Sequence, residues 1–361
     1  MVIGARQLNI VATAAFVAVA LIMVLPAYFL YAPAKIGDVK PIKVAIEKGD
    51  SIRVIARKLN NAGLIRNELL FIAYVKMGGE ENGLEAGKYV FSQSMNIPMI
   101  VSAIAGGQSE PDDVKITIPE GYNIWEIDKK LTDAGLTPEG DFSSGYYFYE
   151  GYLFPDTYHL HNFQFPQRFP ASHGNLRREI SNFQKEELMK ELREKMEENF
   201  NNKTRELLKG LSPEKQKETI IIASILEKEA KGEEDMRLVA GIIQKRLELG
   251  ISLQIDATVI YGACYRGFQL STSSNQLVRN CDVTFQSPAA EIKIDGPYNT
   301  YIRKGLPPAP ISNPGFKAIQ ATLNLQKSDY LYYLSTRDGS QMIYSKTPGE
   351  HAANRRKYLG I

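Results

Sequence analysis

The sequence predicts an α+β protein with one transmembrane helix before its folded part. Residues 8–32 carry no charged side chain and are rich in Ala, Val, Leu and Ile. A strand–turn–helix pattern occurs twice, over residues 43–64 and 115–136. Helical stretches at 176–207 and from Pro213 onward are followed by a hairpin pattern and a last helix. Long helices combined with short, separate strand patterns are typical of the α+β class.

The uncharged segment 8–32 is long enough to cross a bilayer core of roughly 30 Å as a helix. A cleaved signal peptide is the alternative, because Ala32-Pro33-Ala34 resembles a cleavage site, but a signal core of about 7–15 residues is shorter. Arg6 precedes the segment and several lysines follow it, which argues against an external C-terminus. The length of the segment therefore favours an uncleaved anchor. Its orientation stays open, because large domains translocate largely regardless of charge.

Several classes of function are disfavoured by composition and motifs. The net charge of +2 over 361 residues gives no reason to expect a nucleic-acid partner. His159 and His161 lie close together, but the sequence has no HExxH motif and no cysteine near them. We therefore expect no metal and no cofactor. Neither a G-x-S-x-G nucleophile turn nor a phosphate-binding glycine loop is present.

The two copies of the repeat predict the same local structure. Alternating apolar residues indicate a strand that ends at a glycine turn, Gly49 in one copy and Gly121 in the other. An amphipathic helix follows, and an Ala-Gly-Leu sequence supplies its glycine C-cap and a hydrophobic contact. Each copy is therefore expected to form a strand, a tight turn and a helix of about three turns.

The first copy also resembles a LysM module, the small β-α-α-β unit that binds glycans containing N-acetylglucosamine. The resemblance is carried by Val44–Leu59, with Gly49-Asp50-Ser51 at the turn, and by the closing segment Leu84–Phe91. A spacer domain of the same fold without ligand binding is the alternative, because function resides in sites and not in folds.

A buried helix carries the candidate catalytic residue. It is predicted from Pro213, with Ser212 as N-cap, and six of the seven residues Ile220–Leu226 are apolar. Small residues, among them Ser224, precede Glu227 on the same face and leave room for a ligand beside its carboxyl group. Partial desolvation would raise the pKa of Glu227 and suit it to donate a proton near neutral pH. The alternative is that Glu227 only marks where the helix meets water.

Further motifs accompany this helix in a fixed order. They are Glu150–Tyr158, Val239–Leu247, Leu253–Gly262, Tyr298–Tyr301, Gly305–Pro308 and Ile311–Gly315. The ordered set resembles the MltG (YceG-like) family of endolytic murein transglycosylases, and the resemblance covers nearly the whole chain. In that family the first glutamate of the A-S-I-x-E-K-E motif is catalytic, which corresponds to Glu227 here.

The resemblance implies a domain outside the cytoplasmic membrane that cleaves the MurNAc–GlcNAc β-1,4 bond within peptidoglycan strands and leaves 1,6-anhydro-MurNAc ends. It also implies a role in terminating strand elongation, with penicillin-binding proteins and other peptidoglycan synthases as partners. One carboxyl group suffices for this reaction, because the C6 hydroxyl group of the sugar is the nucleophile and no water has to be activated.

Four residues in the motif loops are candidates for substrate binding: Gln254, Asp256, Tyr298 and Asn299. Amide and phenol groups suit recognition of N-acetyl and hydroxyl groups, and a tyrosine ring offers an apolar face to a sugar. The alternative roles are structural; Asp256, for example, precedes a predicted helix and would then cap it.

The segment between Gly262 and Pro297 departs from the pattern of the family. It is long and polar, and we expect an enlarged loop close to the proposed groove. It contains the only two cysteines, Cys264 and Cys281. Outside the membrane such a pair is expected to form a disulfide that closes the loop, and two free buried thiols are the alternative.

These observations combine into one predicted organisation. It consists of a cytoplasmic N-terminus over 1–7, a transmembrane helix over 8–32, a linker over 33–41, a LysM-like domain over 42–110, a bridging repeat unit over 111–145 and a catalytic domain over 146–361. Two other functions stay open. A lysozyme-like hydrolase would use Asp256 or Glu229 as a second carboxylate, and a peptidoglycan-binding scaffold would use Glu227 for no chemistry.

Overall fold

The computed structural model describes residues 28–81, 83–107, 114–160, 174–274, 281 and 288–360, with the side chains of 174–181 and 270–274 excepted. The described chain is α+β, as predicted, and its strands form three separate two-stranded sheets. It divides into two compact units. The first comprises residues up to 114 and 174–188, and the second comprises 115–160 and 189–360.

The first unit has the order β-α-α-β-α. Strand β1 (Ile42–Ile46) pairs antiparallel with β2 (Gly87–Phe91), so that Ile42 faces Phe91 and Ile46 faces Gly87. Helices α1 (Ile52–Asn61), α2 (Glu68–Met77) and α3 (Ile97–Ala105) complete the unit. Its core is closed by large apolar side chains from all five elements, including Ile55, Leu59, Phe71, Tyr89 and Ile100.

The second unit holds most of the helices. Its strands are β3 (Val114–Thr117) paired with β4 (Thr157–Leu160), and β5 (Tyr332–Ser335) paired with β6 (Met342–Ser345). Its helices are α4 (Ile124–Asp133), α5 (Asp141–Tyr146), α7 (Pro213–Glu229), α8 (Glu233–Glu248), α9 (Asp256–Ser274), α10 (Pro288–Glu291), α11 (Phe316–Leu323) and α12 (Pro348–Leu359). Helix α6 (Gly174–Leu208) belongs to the first unit up to Leu188 and to the second from Met189. Helices α7, α8 and α11 pack against one another and form the layer that carries the candidate catalytic residue.

Both copies of the repeat form the predicted strand, turn and helix. The turn glycines Gly49 and Gly121 have φ of +97° and +77°, a region that favours glycine. Each helix ends in the same motif, in which the glycine after the C-cap and the leucine after it donate hydrogen bonds back to the last turn. In the first copy Gly63 donates to Asn60 and Leu64 donates to Leu59.

Several other local predictions are confirmed. Ser212 caps helix α7 by accepting a hydrogen bond from the backbone N–H of Lys215, with Pro213 at the first position. The predicted hairpin is formed by β5 and β6, with Asp338-Gly339 in its turn, and the predicted last helix is capped by Thr347. These signals involve residues a few positions apart, so they do not depend on the rest of the fold.

The first part of the segment after Gly262 is helical and not the expected loop, whereas residues 275–280 and 282–287 of the predicted loop lie outside the described residues. Helix α9 continues through it to Ser274, and a short helix follows at Pro288–Glu291. The helix continues because Tyr265 and Phe268 fall on one face and stack on Tyr147, with ring centroids 5.7 and 5.2 Å away. The predicted disulfide between Cys264 and Cys281 is present, with a Cα–Cα distance of 5.2 Å.

The predicted transmembrane helix 8–32 lies outside the described residues except for residues 28–32. Within the part of the chain that the structure describes, no helix is both long and apolar enough to cross a membrane.

Candidate functional site

Glu227 lies in the last turn of helix α7, where a buried apolar stretch ends. All residues from Thr219 to Leu226 are buried, whereas Glu227 is partly buried and Lys228 is exposed. The helix is therefore held firmly by its middle and presents Glu227 at the edge of the protein interior. A carboxyl group in this position is desolvated on one side and accessible on the other.

Burial and three neighbouring groups set the protonation of Glu227. Burial, and after it the nearby negative charge of Glu120, raise the pKa of its carboxyl group, and the net value is about 7. Two groups act in the opposite direction: the backbone N–H of Gly315 donates a 2.9 Å hydrogen bond to Glu227 Oε1, and Lys228 contributes a positive charge. The balance leaves a substantial fraction of Glu227 protonated at neutral pH, as a general acid requires.

The small residue Ser224 faces a loop of the chain itself, and the space beside it is not open to a ligand. The fully buried Ser224 accepts a 3.0 Å hydrogen bond from the backbone N–H of Ile311, and its backbone carbonyl accepts one of 2.8 Å from the Ser312 hydroxyl group. The space that the sequence assigned to a ligand is thus filled by the chain's own loop 311–315. The small side chains bring that loop close enough for Gly315 to reach Glu227.

The turn of the second repeat also contacts Glu227. A Cβ atom on Gly121 would lie 3.2 Å from the Cβ of Glu227 and 3.8 Å from its Oε2. A Cβ atom on Gly315 would lie only 2.0 Å from Oε1 of Glu120. Two glycines therefore allow the turn at 120–121 and the loop at Gly315 to close around the Glu227 carboxyl group.

A buried network fixes these loops, and its centre is the pair Glu150 and Asn313. The side-chain amide of Asn313 donates 2.8 Å to Glu150 Oε1, and its oxygen accepts from the backbone N–H groups of Gly151 and Leu153 at 2.8 and 3.0 Å. Burial raises the pKa of Glu150 to about 8. Its Oε2 accepts 2.9 Å from the backbone N–H of Ile124, the first residue of helix α4.

The other two carboxyl groups near this region point elsewhere. Glu229 accepts a 3.0 Å hydrogen bond from the Tyr333 hydroxyl group, and burial raises the pKa of Glu229 to about 7. Asp256 is exposed at the start of helix α9 and accepts a 2.6 Å hydrogen bond from the Tyr301 hydroxyl group. Both carboxyl groups therefore already have phenol partners.

Gln254 is held in an unusual backbone conformation. Its φ of +56° is positive, which is uncommon for a residue other than glycine and marks a locally constrained position. Its side-chain oxygen accepts a 3.0 Å hydrogen bond from the buried Arg246, and its backbone N–H donates to the carbonyl of Thr300. Gln254 itself is exposed.

Tyr298 and Asn299 are buried. The Tyr298 ring packs 4.8 Å from Tyr261, and its hydroxyl group lies 3.4 Å from that of Tyr147. The Asn299 amide donates to the carbonyl groups of Ile292 and Ile294, and its oxygen accepts from the backbone at 301 and 302. The amide of Asn299 therefore holds the loop that carries Tyr298 and Tyr301.

Sequence reasoning did not single out Glu120, Glu150 and Asn313. Glu150 and Asn313 belong to quoted motifs, but no local signal pairs two residues so far apart in the chain. Glu120 had a detectable signal, since the first copy of the repeat has Lys48 at the same position.

The chain is similar to a known family and to several known proteins. A family model described as "YceG-like family" matches residues 44–357. The endolytic murein transglycosylase of Streptococcus pneumoniae strain D39 is 26% identical over 364 residues, which cover 89% of this chain. The chain spans 59% of that relative's length. The endolytic murein transglycosylase of Bacillus subtilis strain 168 is also 26% identical, over 92% of this chain and 90% of its own length.

A solved structure is also similar. A crystal structure of a yceG-like protein from Listeria monocytogenes is 26% identical in sequence, with a TM-score of 0.42. The match covers 87% of this chain and 99% of the Listeria chain.

Proposed function

The chain belongs to the YceG-like family, and we propose that it is an endolytic lytic transglycosylase of peptidoglycan in which Glu227 acts first as general acid and then as general base. The observation that carries this proposal is the half-buried Glu227 carboxyl group, whose pKa is raised to about 7 mainly by burial. Two relatives named endolytic murein transglycosylases align over about nine-tenths of this chain, which supports the substrate class.

The proposed reaction needs one carboxyl group and no water. Protonated Glu227 gives its proton to the oxygen that links C1 of MurNAc to C4 of GlcNAc, and the C1–O bond breaks. The departing GlcNAc keeps that oxygen as its C4 hydroxyl group. The Glu227 carboxylate then removes the proton from the C6 hydroxyl group of the same MurNAc, whose oxygen forms the new bond to C1. Glu227 is protonated again, and the product carries a 1,6-anhydro-MurNAc end.

The surroundings of the other carboxyl groups favour this reaction over hydrolysis. A hydrolase needs a second carboxylate to activate water or attack the sugar. Glu229 and Asp256 each accept a hydrogen bond from a tyrosine, and the charges that act on Glu227 are those of Glu120 and Lys228. The hydrolase is therefore the second candidate, and its products would carry reducing ends.

For substrate contacts we propose a division among the four candidates. Gln254 and Asp256 are exposed and would offer an amide and a carboxylate to sugar hydroxyl or N-acetyl groups. Tyr298 and Asn299 are buried, and we propose that they act on the substrate by shaping the loop beside it.

Mass spectrometry of the reaction products tests the proposal. Purified peptidoglycan would be digested with the full-length chain in detergent, and the soluble muropeptides weighed. We expect products one water lighter than reducing muropeptides, with anhydro ends. Reducing ends would establish the hydrolase instead, and a folded protein that releases nothing would favour the binding scaffold.

We further propose that residues 8–32 anchor the chain in the cytoplasmic membrane with the folded part outside, where it would terminate growing strands beside the peptidoglycan synthases. The uncharged segment and the disulfide between Cys264 and Cys281 support an external location. Protease added to intact spheroplasts should degrade the folded part, and complete protection until lysis would contradict this orientation.

We also propose that residues 42–110 form a LysM-like module that binds glycan. The antiparallel β-α-α-β arrangement supports this. N-acetylglucosamine oligosaccharides should slow amide hydrogen exchange in this region of the full-length chain. Unchanged exchange would indicate a spacer domain that does not bind glycan.

A further inference from the structure

We infer that Glu120 is a positioning residue, whose carboxylate is held beside Glu227 by the loop at Gly315 and keeps Glu227 in its proton-donating form. The inference rests on the proposed function, because it concerns the acid of that reaction. In this role Glu120 does not itself have to contact the substrate.

The position of Glu120 is fixed by two backbone hydrogen bonds of the residues that follow it. The N–H of Gly121 donates 3.0 Å to the carbonyl of Asn313, and the N–H of Asn313 donates 2.9 Å to the carbonyl of Tyr122. These two bonds tie the turn that contains Glu120 to the loop that ends in Gly315. The Glu120 side chain is exposed, but its backbone is therefore not free to move away from Glu227.

Gly315 brings the two carboxyl groups together. Its N–H donates to Oε1 of Glu227, while the Glu120 carboxyl group occupies the space where any other residue would have its Cβ atom. Only glycine leaves both contacts in place. Among the residues that the structure describes, no hydrogen bond or ion pair engages the Glu120 carboxylate, so its charge is not neutralised by a close partner.

The repeat shows that this arrangement is not required by the strand–turn–helix fold. In the first copy Lys48 occupies the position of Glu120, and a Cβ atom on the turn glycine Gly49 would meet nothing within 4 Å. In the second copy the corresponding Gly121 lies against Glu227. The same local structure therefore carries the opposite charge at the one turn that reaches the proposed site.

The remaining charges around Glu227 do not cancel the effect of Glu120. Lys228 lies on the same helix, and its ammonium group is paired at 2.9 Å with Glu126 on helix α4. The loop before helix α11 contributes the Gly315 N–H, which favours the ionised form. Glu120 is thus the charged group that opposes ionisation from the side of the turn.

The test compares the pH dependence of cleavage in three full-length variants. In the wild type, the rate of anhydro-product release should fall as pH rises through about 7, because Glu227 must be protonated to act as the acid. Glu120→Gln removes the repulsion, so the Glu227 carboxyl group loses its proton more easily. The alkaline limb of the pH–rate profile is the range in which the rate falls as pH rises. We expect this limb to move down by about 0.5–1 pH unit in the variant. At pH values above the limb, the variant should then be about three- to tenfold slower than the wild type.

Two further variants separate this effect from others. Gly315→Ala retains the N–H but forces the Glu120 carboxyl group aside, and it should move the limb in the same direction. Glu218→Gln removes an equal charge from an exposed position nine residues earlier on helix α7, and it should leave the limb in place.

An alkaline limb of Glu120→Gln that coincides with the wild type would overturn the inference. So would an equal loss of rate at every pH, which indicates a substrate contact or a structural defect. These outcomes differ from a failure of the proposed function, in which Glu227→Gln would itself remain lytic.

Discussion

Glu227→Gln should reduce the release of anhydro-muropeptides by about 10²–10⁴-fold, the usual contribution of a general acid or base. Glutamine retains the size of the side chain and an oxygen that accepts the hydrogen bond from Gly315. It has no proton to give to the glycosidic oxygen and cannot accept one from the C6 hydroxyl group. Both proton transfers of the proposed reaction are therefore lost while the fold is kept. Initial rates on purified peptidoglycan measure the effect.

Two controls make this prediction specific. Glu218→Gln changes an exposed carboxylate on the same helix and should retain the wild-type rate. Glu229→Gln removes the second carboxylate of the rival hydrolase, and the proposed reaction predicts that anhydro products still form. If the Glu227→Gln protein remains lytic, Glu227 is not the acid of the reaction. If Glu229→Gln loses activity at unchanged stability, the results favour an enzyme with two catalytic carboxylates.

Asn313→Ala should cost about 3–5 kcal/mol of folding free energy in the second unit, because several buried polar groups lose their partners together. The Asn313 side chain is fully buried and bonds to the Glu150 carboxyl group and to two backbone N–H groups. Alanine would leave all of them unsatisfied inside the protein. A loss of this size corresponds to a melting temperature lower by about 6–20 °C for a unit of this length.

Thermal unfolding followed by circular dichroism measures this effect, with Asn324→Ala as the matched control. Asn324 is exposed and its amide makes one local bond of 3.0 Å to Gln320, so its replacement should change stability by no more than about 0.5 kcal/mol. Equal melting temperatures for the two variants would show that the buried network contributes little.

Much of the local structure could be predicted from the sequence because its causes are local. The helix that carries Glu227 begins at Ser212 and Pro213 as expected, since a cap and the first helical turn involve adjacent residues. The two repeats end in the same glycine motif for the same reason. The continuation of helix α9 beyond Gly262 was missed because its stability depends on stacking with Tyr147, which is distant in sequence.

The sequence by itself determined the α+β class, the repeat and the main helices, because periodicity and helix caps act over a few residues. The resemblance of the ordered motifs to a known family singled out Glu227 as the candidate acid. Only the tertiary structure decided what surrounds that acid. It filled the space beside Ser224 with the chain's own loop, and it brought Glu120 and Gly315 to the same carboxyl group. Such contacts join segments about 90–110 residues apart, and their geometry depends on the packing of whole helices and loops, which no local pattern encodes.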